Sequence, residues 1–335
     1  MPTPNTTPIN LIWTHHRPHL DELVAIDMLR SEGQDIFPGI ANARVVFIRN
    51  GALPVGKTWQ ELLDQRILLV GIGGSPFDEH GRTGVARKEG QSACSLVADA
   101  LNLRKHPVYK RLIELATEAD LGGVHQLHLA NLLKLRYRLY PDSPEIVMAL
   151  AMSFINDLKA EQRAFLAGQR VISELRKSPS TRCEMPSAIG RLEIITARSD
   201  NFKLSAAARS LSVAILVQAE LVGDRPHVQI FSNTSRHKFS MRFVAAEWRR
   251  RELLAMGMSP AGVQKLDQDD YLASEDSIAE VPNIFYHKIA ENVFNGTETT
   301  PAVTPTRVSL EDITRIVRKY TYVMAPEQAP ITQSV

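Results

Sequence analysis

Three side chains able to hold a transition metal fall within seven residues near the start of the chain. They are His15, His19 and Asp21, in a His-x3-His-x-Asp spacing, with Glu22 directly after. Imidazole and carboxylate are ligands for Zn, Mn or Fe, and this spacing can set them around one point. The apolar run 9–13 precedes the cluster and residues 23–30 read as helix, so the cluster lies where a strand ends and a helix begins. An open α/β sheet carries its chemistry at that edge. The plainer alternative is a polar loop that happens to be rich in histidine, although three of the ten histidines fall within five positions.

A second group of the same residue types follows the apolar run 66–72 and its Gly73-Gly74 turn: Asp78, Glu79 and His80. At the neighbouring strand edge it can face the first across the sheet. Asp120 ends a helical stretch and taken alone reads as a solvated charge.

The elements that must position these groups alternate. Strands are expected over 9–13, 44–49 and 66–72, with helices over 20–30 and 59–65, the pattern of a parallel sheet with covering helices. Helical periodicity runs from 92 to 139, a Pro-Asp-Ser-Pro breaker stands at 141–144, and a long helix is expected from 145 to about 177. The second half restarts with strand 191–197, helix 204–217, strand 227–232 and helix 241–256. Residues 297–306 read as a loose connection, 309–322 as a capped amphipathic helix, and the last dozen residues as disordered. The expected fold class is α/β: a parallel-sheet N-terminal domain over 9–140, a helical linker over 141–180, a smaller α/β second domain over 181–296, and a C-terminal helix and tail over 297–335.

Composition narrows the classes. The chain has 335 residues, 44% of them apolar and 23% charged, with a formal net charge of +2. No global field marks a nucleic-acid or membrane partner. Two cysteines make neither a disulfide framework nor a CxxC metal site, and no apolar stretch is long enough to span a bilayer. A soluble, cytoplasmic protein is expected.

Taken in order, the motifs resemble the DHH phosphoesterase superfamily, closest to its branch of metal-dependent exonucleases typified by the melanocyte proliferating gene proteins. That branch opens with Thr-His-x-x-x-His-x-Asp-Glu, matched by Thr14, His15, His19, Asp21 and Glu22. Its Asp-Val-Gly-Gly and Asp-His-His blocks correspond to residues 71–74 and 78–80, its Ser-Ala helix start to Ser92-Ala93, and its later aspartate to Asp120. The resemblance covers residues 9 to 135. It implies hydrolysis of a phosphodiester or phosphomonoester of a nucleotide or short single-stranded nucleic acid. It implies one or two ions, Mn with Zn or Mg as alternatives, held by His15, His19, Asp21, Glu79 and Asp120. His80, Asp78 and Glu22 form the implied catalytic group, with His80 contacting the phosphate or protonating the leaving oxygen and Asp78 orienting it. Two departures matter. Gly71 replaces the aspartate that bridges two metals, and Glu79 replaces a ligating histidine. One ion, or a weaker second one, is therefore expected, and Gly71→Asp is expected to restore affinity for the second. A degenerate domain that binds nucleotide or protein without cutting is the alternative.

Two further segments could meet phosphate. Residues 51–58 satisfy the phosphate-loop pattern GxxxxGK[ST], with Lys57 and Thr58 at its end, which offers an ATP- or GTP-binding hydrolase or kinase as another reading. Against it, no Walker-B carboxylate follows the next strand. Farther on, Asn233, Ser235, Arg236, His237 and Lys238 lie between a strand and a helix expected to begin near Ser240, a suitable place to grip substrate phosphate. Residues 249–251 (three arginines), Lys134, Arg136 and Arg138 read as solvated helix faces.

Overall fold

Alternation of apolar and polar residues makes β1 (Leu11–His15), with Ile12 and Thr14 buried and the residues between them half-buried. The structure, a computed structural model, describes residues 8–80, 89–122, 124–125, 128–187, 190–222, 225–296 and 303–323. Gly81, residues 297–302 of the expected loose connection and the C-terminal dozen lie outside them. The chain divides into two compact units, residues 1–163 and 164–335.

In the first unit, α1 (Leu20–Glu32) follows β1 and is buried from Leu20 to Leu29, with Asp21, Glu22 and Asp27 among the buried residues. Then come β2 (Arg44–Ile48), the two-turn α2 (Trp59–Asp64) and β3 (Ile67–Leu69). The three strands form a parallel sheet in the order β2-β1-β3, with Leu11 opposite both Arg44 and Ile67. The expected strand 66–72 is cut to three residues because Gly71 and Gly73 adopt φ of 70° and 72°, where extended pairing ends. Helices α3 (Ala93–Ala100), α4 (Lys110–Leu121) and α5 (Leu129–Leu139) follow.

Helix α6 (Pro144–Leu175) runs on through the boundary between the units. Its Val147, Ala151, Ile155 and Lys159 are buried at four-residue spacing, one stripe of a helix. Lys159 is charged and still belongs to that stripe, because its Nζ donates to both carboxylate oxygens of buried Asp27 at 2.7 Å.

The second unit carries the larger sheet. Its elements are β4 (Arg182–Ser187), β5 (Gly190–Arg198), α7 (Leu204–Ser210), β6 (Ile215–Val222), β7 (Arg225–Ser232), β8 (Phe239–Ser240), α8 (Arg242–Ala255), α9 (Pro260–Leu266), β9 (Asp276–Ile278), β10 (Val281–His287), β11 (Asn292–Phe294), α10 (Leu310–Tyr320) and β12 (Tyr322–Val323). Seven strands pair in the order β4-β5-β6-β7-β11-β10-β9, parallel only between β5 and β6. Strands β8 and β12 pair separately. Ile215, Val217, Val228 and Ile230 of the sheet share a core with Trp248 of α8 and Ile313 and Val317 of α10. The architecture is mixed α/β, with a small parallel sheet and a larger mixed one.

Two expectations fail here. The helix expected over 204–217 stops at Ser210, Ser212 reverses the chain at φ 65°, and the apolar run beyond it becomes β6. A strand buried on both faces shows no period of two, so its sequence reads equally well as buried helix. Arg249, expected on a solvated face, is wholly buried, and its guanidinium donates to the carbonyls of Leu272, Ser274, Asp276 and Ile284. Among the described residues no helix is long and apolar enough to cross a membrane.

The Asp27–Lys159 pair gives a direct stability test. Lys159→Met leaves a buried carboxylate without its cation, at a cost of about 3–5 kcal/mol. Urea unfolding should show that loss, with much of it recovered in Asp27→Leu/Lys159→Met. A single-variant loss under ~1 kcal/mol would mean water reaches Asp27.

Candidate metal centre

The end of β1 and the first turn of α1 are tied together by one buried carboxylate. Glu22 Oε1 accepts from Thr14 Oγ1 at 3.2 Å and from His15 Nδ1 at 2.6 Å, while Oε2 accepts from the His19 backbone N–H at 2.7 Å. These bonds satisfy the helix start and fix the imidazole of His15, whose Nδ1 is spent on Glu22 and whose Nε2 remains. His15 is held protonated to higher pH than usual, chiefly by the hydrogen bond to Glu22 and against the opposing effect of burial.

Asp21, next in sequence, points elsewhere. It is 2% exposed, and its Oδ2 accepts from the backbone N–H of Ala93 at 3.1 Å, in the first turn of α3. Ser92 caps that helix. Burial raises the Asp21 carboxyl well above its ordinary range, and the charges of Glu22, Asp120 and Glu79 raise it further. His19, Asp21 and Asp120 bring one ligand atom each to within 4.8 Å of one another, and so do Asp78, Glu79 and His80. The first set joins the start of α1 to the end of α4; the second is the loop after β3.

In the second set, Asp78 Oδ2 accepts from Gly74 N–H at 2.6 Å, and Oδ1 from His80 N–H at 3.0 Å and from its Nδ1 at 3.1 Å. Glu79 is 1% exposed; its Oε1 lies 3.2 Å from His80 Nδ1, while Oε2 is buried with no hydrogen-bond partner among the described residues. Burial raises the Glu79 carboxyl, as do Asp120 and Glu22, against the lowering pull of its own backbone N–H and of His80. The two sets are thus within one another's electrostatic reach. His15 joins neither set, but its ring lies 5.9 Å from that of His80, edge on.

The donor chemistry fits a divalent cation. Buried carboxylates with raised affinity for protons, one of them with an orphaned oxygen, are what a cation with hard or borderline preferences would neutralise. A cavity of about 80 Å³ opens on His19, Asp21 and Asp120, lined also by Lys134 and Tyr137 of α5. Lys134 was read from sequence as a solvated charge. It is exposed, and only the tertiary fold shows that it borders the carboxylates.

Gly71 carries the sharpest correction. A Cβ built there would lie 2.2 Å from Glu22 Oε1, and the backbone has φ +70°. The space that a bridging aspartate would need is filled by Glu22, so Gly71→Asp has no room to create a second ion site. Glu22 itself supplies a carboxylate at that place.

The phosphate-loop segment is otherwise employed. Thr58 caps α2: its Oγ1 accepts from Glu61 N–H at 3.3 Å, and Glu61 Oε2 accepts from Thr58 N–H at 2.8 Å. Gly51 lies against His15, where a Cβ would come within 2.9 Å of Nε2. Val55 is fully exposed, and the helix that follows has only six residues. Among residues 233–238, Asn233 Nδ2 donates to the Val213 carbonyl, Ser235 Oγ to Asn233 Oδ1, and Arg236 to Ser212. His237 is partly buried and Lys238 is exposed. The loop does not lead into a helix: β8 intervenes, and the Met241 N–H at the start of α8 is taken by Glu291 Oε2 at 2.6 Å. Cys94 is no nucleophile, its thiol pushed up to about 12 by burial.

No family model matches the chain, and no curated protein matches it. Among solved structures it is similar to a pGpG-specific phosphodiesterase, PggH of Vibrio cholerae, at 10% identity and a TM-score of 0.29, over 72% of this chain and 89% of that one. At that level neither fold nor activity transfers from one chain to the other.

Two outcomes follow from the geometry. Gly71→Ala should cost about 1–3 kcal/mol of backbone strain and displace Glu22, read as a lowered Tm and a changed His15 imidazole signal in NMR. A Tm equal to wild type would mean that Glu22 is not anchored there. The second outcome concerns pH. A carboxyl with a folded value above its unfolded one binds protons that unfolding releases, so its contribution to stability is greatest at acid pH and is lost as pH rises through the folded value. Glu79 and His15 act in the same sense, His15 above its ordinary 6.5. In EDTA the Tm of wild type minus that of Asp21→Asn should fall as pH rises from about 4 to 8, and Mn²⁺ should stabilise wild type more at the upper end. A difference that rises with pH would contradict the raised carboxyl.

Proposed function

We propose that the first unit is a divalent-metal-dependent phosphoesterase of the DHH type, acting on a nucleotide or short single-stranded nucleic acid in the cytoplasm. The clustering of His19, Asp21 and Asp120, with Glu79 of the second cluster within electrostatic reach of Asp21 and Asp120, supports the reading. Metal binding would fall to His19, Asp21, Asp120 and Glu79, with Mn the ion of choice and Zn or Mg as alternatives. A bound ion supplies Lewis acidity at a phosphoryl oxygen and a water of lowered pKa.

The chain's own side chains supply the rest. His80 is half-exposed, and Asp78 and Glu79 both face its Nδ1. That fixes the ring and leaves its other nitrogen to deliver a proton to a leaving oxygen. Glu22 fixes His15 in the same way at the back of the site. Lys134, at the mouth of the small cavity, is placed to meet a substrate phosphate as a point charge. Burial of Asp21 and Glu79 keeps water from screening these charges.

The test is hydrolysis of bis(p-nitrophenyl) phosphate and of short oligonucleotides with Mn²⁺. Asp21→Asn should lower kcat/KM by about 100-fold or more with the fold intact by circular dichroism. Asp78→Ala should lower it by about 10–100-fold. Calorimetry should find Mn²⁺ bound by wild type and lost in Asp21→Asn. Activity indifferent to EDTA, with no ion bound, would sink the proposal.

A further inference from the structure

We propose that the second unit holds an anion-binding pocket of its own, for a phosphorylated small molecule of the nucleoside phosphate class. A cavity of about 650 Å³ lies between α10 and β5, bordered also by Leu175 and Thr181. Mononucleotide-sized ligands occupy cavities of that order. Arg198 of β5 and Arg315 and Arg318 of α10 line it, against a single carboxylate, Glu311.

The arginines are available in different degrees. Arg198 pairs with Glu311 at 2.9 Å and Arg315 with Asp312 at 2.8 Å, and both pairs are largely solvated. Such pairs are worth little and exchange readily for a phosphate, which a guanidinium grips through two parallel hydrogen bonds. Arg318 differs: its Nε is buried with no hydrogen-bond partner among the described residues. That Nε is closed to a ligand; the guanidinium's terminal N–H groups, with no carboxylate partner among the described residues, are what an anion in the pocket would meet.

The rest of the lining argues for more than a bare phosphate. Thr181 Oγ1 donates to the Leu175 carbonyl at 2.6 Å and Thr314 Oγ1 to that of Leu310 at 2.8 Å. Thr196 Oγ1 lies 3.2 Å from Thr314 Oγ1. With the Thr181 and Thr314 protons committed to the chain, their oxygens can act only as acceptors, and Thr314 Oγ1 already accepts from Thr196. Leu175, Ala197 and Leu310 supply apolar surface for a ring. This site is independent of the metal centre proposed for the first unit.

Calorimetric titration of the full chain with ADP, GDP and inorganic pyrophosphate, all in EDTA, tests the proposal. Wild type and Asp21→Asn should bind a nucleotide equally, and more tightly than pyrophosphate. Arg318→Gln and Arg198→Ala should each weaken binding by about tenfold or more, while Arg318→Lys loses less. Arg242→Ala, an exposed arginine elsewhere in the same unit, should bind as wild type. The proposal is overturned if no probe binds below about 1 mM, if both Arg318→Gln and Arg198→Ala bind as wild type, or if Arg242→Ala loses as much. Should Arg318→Gln fail to fold, the exposed Arg198→Ala decides.

Discussion

Asp21, Glu22, Glu79 and Asp120 are four carboxylates within one another's fields, three of them almost fully buried. Like charges at close range in a medium poorer than water repel strongly, so the surrounding structure has to offset them. Each is met differently. Glu22 takes hydrogen bonds from Thr14, His15 and the start of α1. Asp21 takes a backbone N–H in the first turn of α3. Asp21 and Glu79 hold protons more tightly than free carboxylates do. A cation would complete the neutralisation.

That constraint explains the elements around it. The chain leaves β3 through glycines at positive φ, which lets Asp78, Glu79 and His80 turn back toward α1. Gly71 has no side chain because Glu22 occupies the space, and Gly51 has none because His15 does. Two glycines that look like a lost ligand and a phosphate loop are therefore places of close approach by side chains from a distant part of the chain. A pattern match names residue types, but the physical reason for a glycine lies in whatever packs against it.

The second unit shows the same principle in its buried charges. Arg249 is satisfied by four backbone carbonyls, three from the segment 272–276 and one from β10, and Glu252 takes hydrogen bonds from Thr306 and Arg307. One helix turn thus carries a cation and an anion, each of which orders chain distant in sequence. By contrast Arg318 has a buried Nε without such a partner among the described residues.

The alternating strands and helices of the first unit, the metal-ligand types at 15–22 and 78–80, the helix start at Ser92 and the cap at Ser309 were legible in the sequence, because periodicity and capping are local. So was the placement of chemistry where β1 meets α1. Strands β4, β6 and β9 to β11 were not, since short or doubly buried strands take their identity from the partners they pair with. The resemblance already implied that Asp120 joins His19 and Asp21; only the tertiary structure decided that Lys134 borders them, that Glu22 fills the space at Gly71, and that Arg249 is buried. Each of these depends on the convergence of segments far apart in the chain. Sequence spacing carries residue type and local direction, but distance between such segments is set by packing alone.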